Sequence, residues 1–275
     1  MDHLIIINAL RSEARPFINH FGLQKQMLEN ELFIYEGTDI SCFTTGVGKA
    51  NVKKRLTSLF ENKDLSRSIL VNVGIAGGKK EQSEIGKLYL VNKLTDEESA
   101  RIWFPDMLLQ IGLPELPLTT VAKGVTDGGN HLFGLVDMEG TAIFEASVQH
   151  LPVHQLHFLK VVSDHMDMVL DNPDYVEKLI ADQLPKTIEI MELLQKNGLV
   201  KQPLLDEENK KLTERLNKQL KLTVTQQHQL KELVEGYIAL NSDDISFLCP
   251  YLEIEINTTA GRQKAIKEIH EALSS

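Results

Sequence analysis

The sequence is poor in cysteine and in long apolar runs, and each shortage narrows the classes of protein to which it can belong. Its 275 residues include two cysteines, Cys42 and Cys249, which lie far apart without CxxC spacing. This pattern indicates neither a disulfide framework nor a zinc knuckle, and reduced thiols are typical of the cytoplasm, where we expect the protein to act. No stretch approaches the roughly 20 apolar residues of a membrane span, and the N-terminus lacks a signal-peptide pattern.

Positive charge is also in short supply. The chain carries 29 Lys and Arg against 39 Asp and Glu, which gives a formal net charge of −10 at pH 7. This balance argues against nucleic acids or anionic membranes as general partners, and it favours small molecules or other proteins. The nine histidines show no metal-ligand spacing such as HExxH, so we predict no metal and no other cofactor.

Short apolar runs rich in β-branched residues predict strands that are covered on both faces. These runs lie at 4–8, 41–45, 68–74, 86–94 and 159–163. Stretches with helical spacing separate them, for example "SEARPFINHFG" after the first run and "KANVKKRLTSLFENK" after the second. Strands that alternate with helices predict a three-layer α/β domain.

The composition changes near residue 200. Residues 172–197 are predicted to be helical with an interruption at Pro185, and residues 205–240 are rich in Lys, Glu, Gln and Leu at helical spacing. A last helix is predicted from about Thr259 to Leu273. We therefore predict an α/β domain at 1–199 and a helical C-terminal extension at 200–275, which either docks on the main domain or forms an oligomer seam.

Two glycine-rich segments lie where loops are expected at the edge of the sheet. "TTGVGKAN" (44–51) fails the Walker pattern, because Phe43 and Ala50 stand where it requires Gly and Ser or Thr. NTP hydrolysis is therefore not indicated, although a glycine turn lets the backbone approach a ligand. "GIAGG" (74–78) has the same property, and by itself either segment could be no more than a turn.

Two later segments contain carboxylates that could line a binding site. Asp137 and Glu139 flank Met138 in "VDMEGTAIFEA" (136–146), and Asp164 stands in "SDHMD" (163–167). An acid at a helix start commonly serves as a cap or dipole partner, and Ser163 or Asp164 would suit that role. Asp164 also ends a predicted strand, at the edge where open α/β sheets bind ligands, so a functional role stands beside the capping role.

Taken together and in this order, these segments resemble the nucleoside phosphorylase and nucleosidase superfamily. Within it they are most similar to the methylthioadenosine/S-adenosylhomocysteine nucleosidases and the futalosine hydrolases, over roughly residues 3–197. The segments that carry the resemblance are "NALRSE", "TTGVGKAN", "GIAGG", "MEGTA" and "SDHMD". The resemblance implies a central mixed sheet, cleavage of a ribosyl N-glycosidic bond and a homodimer that binds a nucleoside.

The resemblance also implies roles for individual residues. Glu13 would activate water as a general base, and Asp164 would protonate the departing purine. Glu139 would accept hydrogen bonds from the ribose hydroxyls, and Met138 would pack against the sugar. The other substrate-binding positions that it implies are Val47, Ala76, Gly77 and Lys160.

Three departures from the family pattern leave alternatives open. Ile75 stands where the nucleosidases carry Ser, and Lys160 stands where they carry Arg. The segment between a strand predicted at 121–125 and Met138 is short, and Phe133 is its candidate for stacking on the base. A phosphorylase is the nearest alternative, but "NALRSE" replaces its phosphate-binding "GDPxR" segment. The second alternative is a non-catalytic module that senses a nucleoside.

Overall fold

The computed structural model describes residues 3–28, 32–65, 68–105, 109–197, 207–241, 245–254 and 259–274. The chain divides into two compact units, Met1–Val200 and Lys201–Ser275. None of the described helices combines the length and the apolar character that a membrane span requires.

The strands of the first unit form one mixed sheet. In chain order, the described strands are β1 (His3–Asn8), β2 (Gln24–Met27), β3 (Phe33–Glu36), β4 (Ile40–Thr44), β5 (Ser68–Gly78), β6 (Leu88–Asp96), β7 (Ile102–Trp103), β8 (Glu115–Thr120), β9 (Leu135–Asp137) and β10 (Leu156–Asp164). Their order across the sheet is β10, β6, β8, β9, β5, β1, β4, β3, β2, with β7 paired to β6. Because β10 also pairs with β5, the strands from β10 to β5 close into a ring.

Strand β1 shows how the sheet is covered. Leu4 and Ile6 belong to an apolar cluster that includes residues of α1 (Arg11–Phe21) and α4 (Pro173–Lys196). Ile5 and Ile7 belong to a second cluster with residues of α2 (Lys49–Asn62) and α3 (Gly140–Ser147). Successive side chains of a strand point to opposite faces, so helices cover both faces of β1. This explains why its sequence is a continuous apolar run rather than an alternating one.

Helix α4 corrects one prediction, because it runs through Pro185 without interruption. The sequence marks its start clearly: the Asn172 side chain accepts hydrogen bonds from the amides of Asp174 and Tyr175, and Pro173 follows the cap. Pro185 itself lies on the exposed face of the helix. The carbonyl that loses its donor there can bind water, while buried residues on both sides hold the helix in place.

Other boundaries also differ from the predictions. The strand predicted at 121–125 is wrong: the strand lies at Glu115–Thr120 and includes Pro117, although proline is uncommon inside sheets. Pro117 pairs with Lys93 at an irregularity in β6, where a missing donor is tolerated. "GIAGG" belongs to strand β5 rather than to a loop, and no helix begins at Ser163, because the next one starts at Pro173.

The second unit has an apolar cluster of its own. It contains α5 (Glu207–Gln219), α6 (Val224–Asn241), a 3-10 segment (Ser246–Leu252) and α7 (Thr259–Ser274). Fully buried members of the cluster include Leu216, Val234 and Leu248. Between α5 and α6, Lys221 adopts a left-handed backbone conformation (φ 47°), which is typical of a residue just past a helix end.

Candidate functional site

A cavity of about 440 Å³ lies where β1, β5, β9 and β10 end or are followed by loops. Four carboxylates line it: Glu13, Asp137, Glu139 and Asp164. Most of the other lining side chains are apolar, and among the described residues that line it none is basic or aromatic. The cavity therefore combines apolar walls with concentrated negative charge, a combination that suits a ligand with an apolar body and a developing positive charge.

Glu13 stands in the first turn of α1, where its position in the sequence serves both the helix and the cavity. Its Oε2 accepts hydrogen bonds from the amides of Ala9 (2.9 Å) and Leu10 (2.8 Å), which have no partner inside the helix. Its Oε1 accepts the amide of Ile75 at 2.8 Å. A carboxylate oxygen has two acceptor positions, so Oε1 keeps one for a ligand or a water molecule.

Glycines in β5 make room for this arrangement. A Cβ atom at Gly74 would lie 2.8 Å from Glu13 Oε1, and one at Gly77 would lie 2.8 Å from Met166 Cγ and 3.4 Å from Asp164 Oδ1. Both glycines therefore let acidic side chains approach the strand closely. Two of the three glycines of "GIAGG", Gly74 and Gly77, therefore have a steric reason that is visible only once the strand is paired.

Asp164 is the last residue of β10, next to Gly77 in the register with β5. The pairing is irregular between Val162 and Asp164, which places Ser163 in a bulge, a feature that re-aims the side chain after it. Ser163 Oγ donates to Asp164 Oδ2 at 2.6 Å, and the amide of Met166 donates to Oδ1 at 2.7 Å. Met166 has a left-handed backbone (φ 60°), which is strained for a non-glycine residue. Asp164 is thus held by its own strand end, not by a helix start.

Asp137 forms a buried ion pair with Lys160. The Lys160 Nζ lies 2.9 Å from Asp137 Oδ2, and the two side chains are 3% and 1% exposed. The Asp137 oxygens also accept the hydroxyl of Thr120 at 2.7 Å and the amide of Gly140 at 2.9 Å. Although burial opposes it, the negative charges of Asp137, Glu13 and Glu139 raise the pKa of Lys160, so the ammonium group stays charged.

Glu139 occupies the cap position of α3, yet its side chain does not cap the helix. Its Oε1 instead accepts the amide of Gly48 at 2.7 Å, from the loop that follows β4. Burial, followed by the charge of Asp137, raises the pKa of Glu139 to about 7. Burial also raises the pKa of Glu13, while Lys160 and three backbone amides act against that rise. The charged forms of both carboxylates are therefore favoured by the buried Lys160 ammonium group.

The structure brings most of the predicted positions together. Lining the cavity are Glu13, Val47, Ala76, Gly77, Met138, Glu139 and Asp164. Lys160 is not among the lining residues, because its ammonium group is bound to Asp137 beneath the cavity wall. Phe133 does not line the cavity either and is 63% exposed, so no stacking on a ligand there is supported. The described residues contain no group of three His, Cys, Asp or Glu that could hold a metal ion.

Sequence reasoning did not assign Asp137 to the site. Its spacing from Glu139 was visible, but a carboxylate just before a helix is usually a cap, and Asp137 does bind the Gly140 amide. The signal that could have identified it is Lys160, a cation inside an otherwise apolar run, which requires a buried acid as partner. Neither residue reveals that β9 and β10, which both pair with β5, bring these two side chains together.

Comparisons with known proteins agree with this architecture. The apo structure of Arabidopsis thaliana 5'-methylthioadenosine nucleosidase matches with a TM-score of 0.59 at 19% identity, over 70% of this chain and 96% of that one. A putative 5'-methylthioadenosine/S-adenosylhomocysteine nucleosidase from Borrelia burgdorferi, bound to adenine, matches with a TM-score of 0.58 at 17% identity, over 69% and 99%. Futalosine hydrolase of Helicobacter pylori matches with 0.58 at 16% identity, over 70% and 98%.

No protein-family model matches the sequence, and no curated protein does. At these identities, the structural likenesses show the fold. The resemblance inferred from five short segments is thereby confirmed at the level of the fold, a mixed α/β fold with a central sheet.

Proposed function

We propose that the chain hydrolyses the N-glycosidic bond of a purine-type nucleoside of the methylthioadenosine, S-adenosylhomocysteine or futalosine kind and releases the free base. One observation carries the proposal: Glu13, Glu139 and Asp164, which the sequence resemblance singled out separately, line the same cavity. They come from α1, the start of α3 and the end of β10, so only the folded chain brings them together.

The chemistry of this bond suits the three carboxylates. Cleavage requires a leaving base that becomes protonated, a nucleophile at the anomeric carbon and support for an oxocarbenium-like sugar. We assign to Asp164 the donation of a proton, or of a hydrogen bond, to the leaving base. Glu13 would activate the attacking water, and Glu139 would accept hydrogen bonds from the ribose hydroxyls. The remaining acceptor position of Glu13 Oε1 is where the water would bind, and the nearby negative charges would stabilise the cationic sugar.

Water is a better nucleophile for this site than phosphate. A phosphate subsite needs cations or a set of unpaired backbone amides, and none of the described lining residues is basic. The amides of Ala9 and Leu10, at the start of α1, are not free to bind an anion, because they donate to Glu13. A phosphate dianion would also face four carboxylates, which makes a phosphorylase the weaker candidate.

A nucleoside-sensing module without turnover is the second candidate. It is favoured by Ile75, which contributes only its amide to Glu13 and offers no hydroxyl to orient a water molecule. Lys160 also favours the sensor, because its ammonium group binds Asp137 and does not line the cavity. Against the sensor, a binding site has no evident need for both Glu13 and Asp164 in one cavity.

Four further features are proposals that rest on the sequence and its resemblance. We propose that residues 1–199 carry the activity as a three-layer sandwich and that residues 200–275 are a helical extension. We also propose that the protein acts as a homodimer in the cytoplasm. Size-exclusion chromatography coupled to light scattering would measure the dimer directly.

The decisive experiment is chromatography of purified protein incubated with a panel of nucleosides, including methylthioadenosine, S-adenosylhomocysteine and futalosine, with and without phosphate. Hydrolysis predicts free base and free sugar at the same rate in both conditions. Ribose 1-phosphate that forms only with phosphate would identify a phosphorylase instead. Thermal stabilisation by a nucleoside without any product would identify the sensor.

A further inference from the structure

The loop that follows β4 reaches the cavity through one backbone hydrogen bond. Its last residue, Gly48, donates its amide to Glu139 Oε1 at 2.7 Å, and this is the only protein hydrogen bond to the Glu139 carboxylate in the described part of the chain. Gly48 has φ 90° and ψ 151°, a conformation that favours glycine. The contact therefore depends on a loop conformation that must be held from elsewhere.

Residues on both sides of this contact bind the same carboxylate oxygen. Lys49, directly after Gly48, places its Nζ 2.8 Å from Asp96 Oδ2. Thr141, two residues after Glu139, donates its hydroxyl to the same Asp96 Oδ2 at 3.3 Å. Asp96 thus connects the start of α2 to the start of α3, the two elements that meet where Gly48 binds Glu139.

Asp96 is well built for such a role. It ends β6, is 7% exposed, and its Oδ1 accepts both the amide and the hydroxyl of Ser99 at 2.8 Å. Burial opposes its charge, but hydrogen bonds from Lys49 and Ser99 lower its pKa to about 2. Neither Lys49 nor Asp96 lines the cavity. Although burial opposes it, hydrogen bonds to Asp96 and Glu98 raise the pKa of Lys49. The Lys49–Asp96 pair therefore stays ionised at neutral pH, outside the lining of the cavity.

We propose that Lys49, Asp96 and Thr141 form a brace that holds the Gly48 amide on Glu139, which makes Lys49 and Asp96 positioning residues for the sugar-binding carboxylate. The role of this brace in catalysis rests on the proposed function, because it positions the carboxylate that would bind the ribose. A braced Gly48 fills one acceptor position of Glu139 and leaves the others directed at the ribose hydroxyls. A released Gly48 would leave the carboxylate free to turn and less stabilised in its charged form.

The direction of the pH effect follows from the groups around Glu139. Asp137 and Glu13 disfavour its charge, whereas Lys160 and the Gly48 amide favour it. Loss of the amide therefore raises the pKa of Glu139 above its already raised value. In a variant without the brace, the pH below which the ribose is bound poorly would therefore be higher. A variant that is only less stable would not change this pH.

The test compares Lys49→Met and Asp96→Asn with Lys53→Met. Lys53 lies one turn further along α2 and pairs with Glu145 at 3.3 Å on the surface, so it controls for loss of a lysine from this helix. We expect both brace variants to raise KM for the nucleoside at least about tenfold, as for a lost hydrogen bond to a charged group, with a smaller change in kcat. The acid limb of kcat/KM should move to higher pH, and Lys53→Met should change neither quantity.

Hydrogen exchange at the Gly48 amide tests the brace without any turnover. The amide should exchange slowly in the wild type and in Lys53→Met, and at least about tenfold faster in the two brace variants. Exchange at the wild-type rate in both brace variants would overturn the proposal, even if the protein proves to be a hydrolase. Faster exchange in a protein that cleaves no nucleoside would keep the brace and refute the proposed function. Asp96→Asn keeps the shape of its side chain and serves if Lys49→Met does not fold.

Discussion

Replacement of Lys160 by methionine should destabilise the first unit and weaken its carboxylates together. The Lys160–Asp137 pair is almost fully buried at 2.9 Å, and removal of the cation leaves the buried Asp137 without its ionic partner. Loss of one partner from such a pair costs about 3–5 kcal/mol of the free energy of unfolding. The exposed pair of Lys53 with Glu145 supplies the control, since Lys53→Met should cost no more than about 1 kcal/mol.

Urea unfolding followed by the fluorescence of Trp103 measures this cost in the first unit alone, because the chain has one tryptophan. In the double variant Lys160→Met/Asp137→Asn the unpaired charge is gone, so the loss should be smaller than the sum of the two single losses by about 1–3 kcal/mol. A cost of less than about 1 kcal/mol for Lys160→Met would refute the buried pair. Strictly additive losses of unfolding free energy in the double variant would refute it as well.

Three further predictions concern the cavity. Glu13→Gln should lower turnover by about 10²–10⁴-fold, as measured by initial rates of base release from folded protein, because the amide cannot act as a base. Gly74→Ala should have a similar effect on the rate, since its Cβ would lie 2.8 Å from Glu13 Oε1. Wild-type kinetics in this variant would contradict the close approach of Glu13 to β5. The kcat/KM of the wild type should fall as pH decreases through about 7, where Glu139 becomes protonated, and a profile flat from pH 5 to 8 would contradict its assigned role.

The parts of the fold with local signals could be predicted from the sequence. Strand β1 is a continuous apolar run because helices cover both of its faces, and α4 begins at Asn172 and Pro173, whose capping preferences are strong. The strand that contains Pro117 was predicted wrongly, at 121–125 and not at Glu115–Thr120. A proline argues against a strand, and only the irregular pairing of β6 with β8 explains why one is tolerated there.

The candidate site was predictable where a short segment carried its meaning alone. Glu13, Glu139 and Asp164 could be assigned in this way, since each stands in a segment that resembles the family. The Asp137–Lys160 pair could not, because it depends on how β9 and β10 are placed in the sheet. The bulge at Ser163 could not be predicted from the sequence either, although it determines where the Asp164 carboxylate points.

The rate of free-base release by the wild type and by Asp164→Asn, with and without phosphate, tests the central claim most directly. The substrate is whichever nucleoside of the panel the wild type cleaves fastest, and equal thermal unfolding temperatures would establish that both proteins are folded. We predict phosphate-independent release by the wild type and a loss of about 10²–10⁴-fold in the variant, as for removal of a general acid. No release by the folded wild type, or equal rates for the two proteins, would contradict the account.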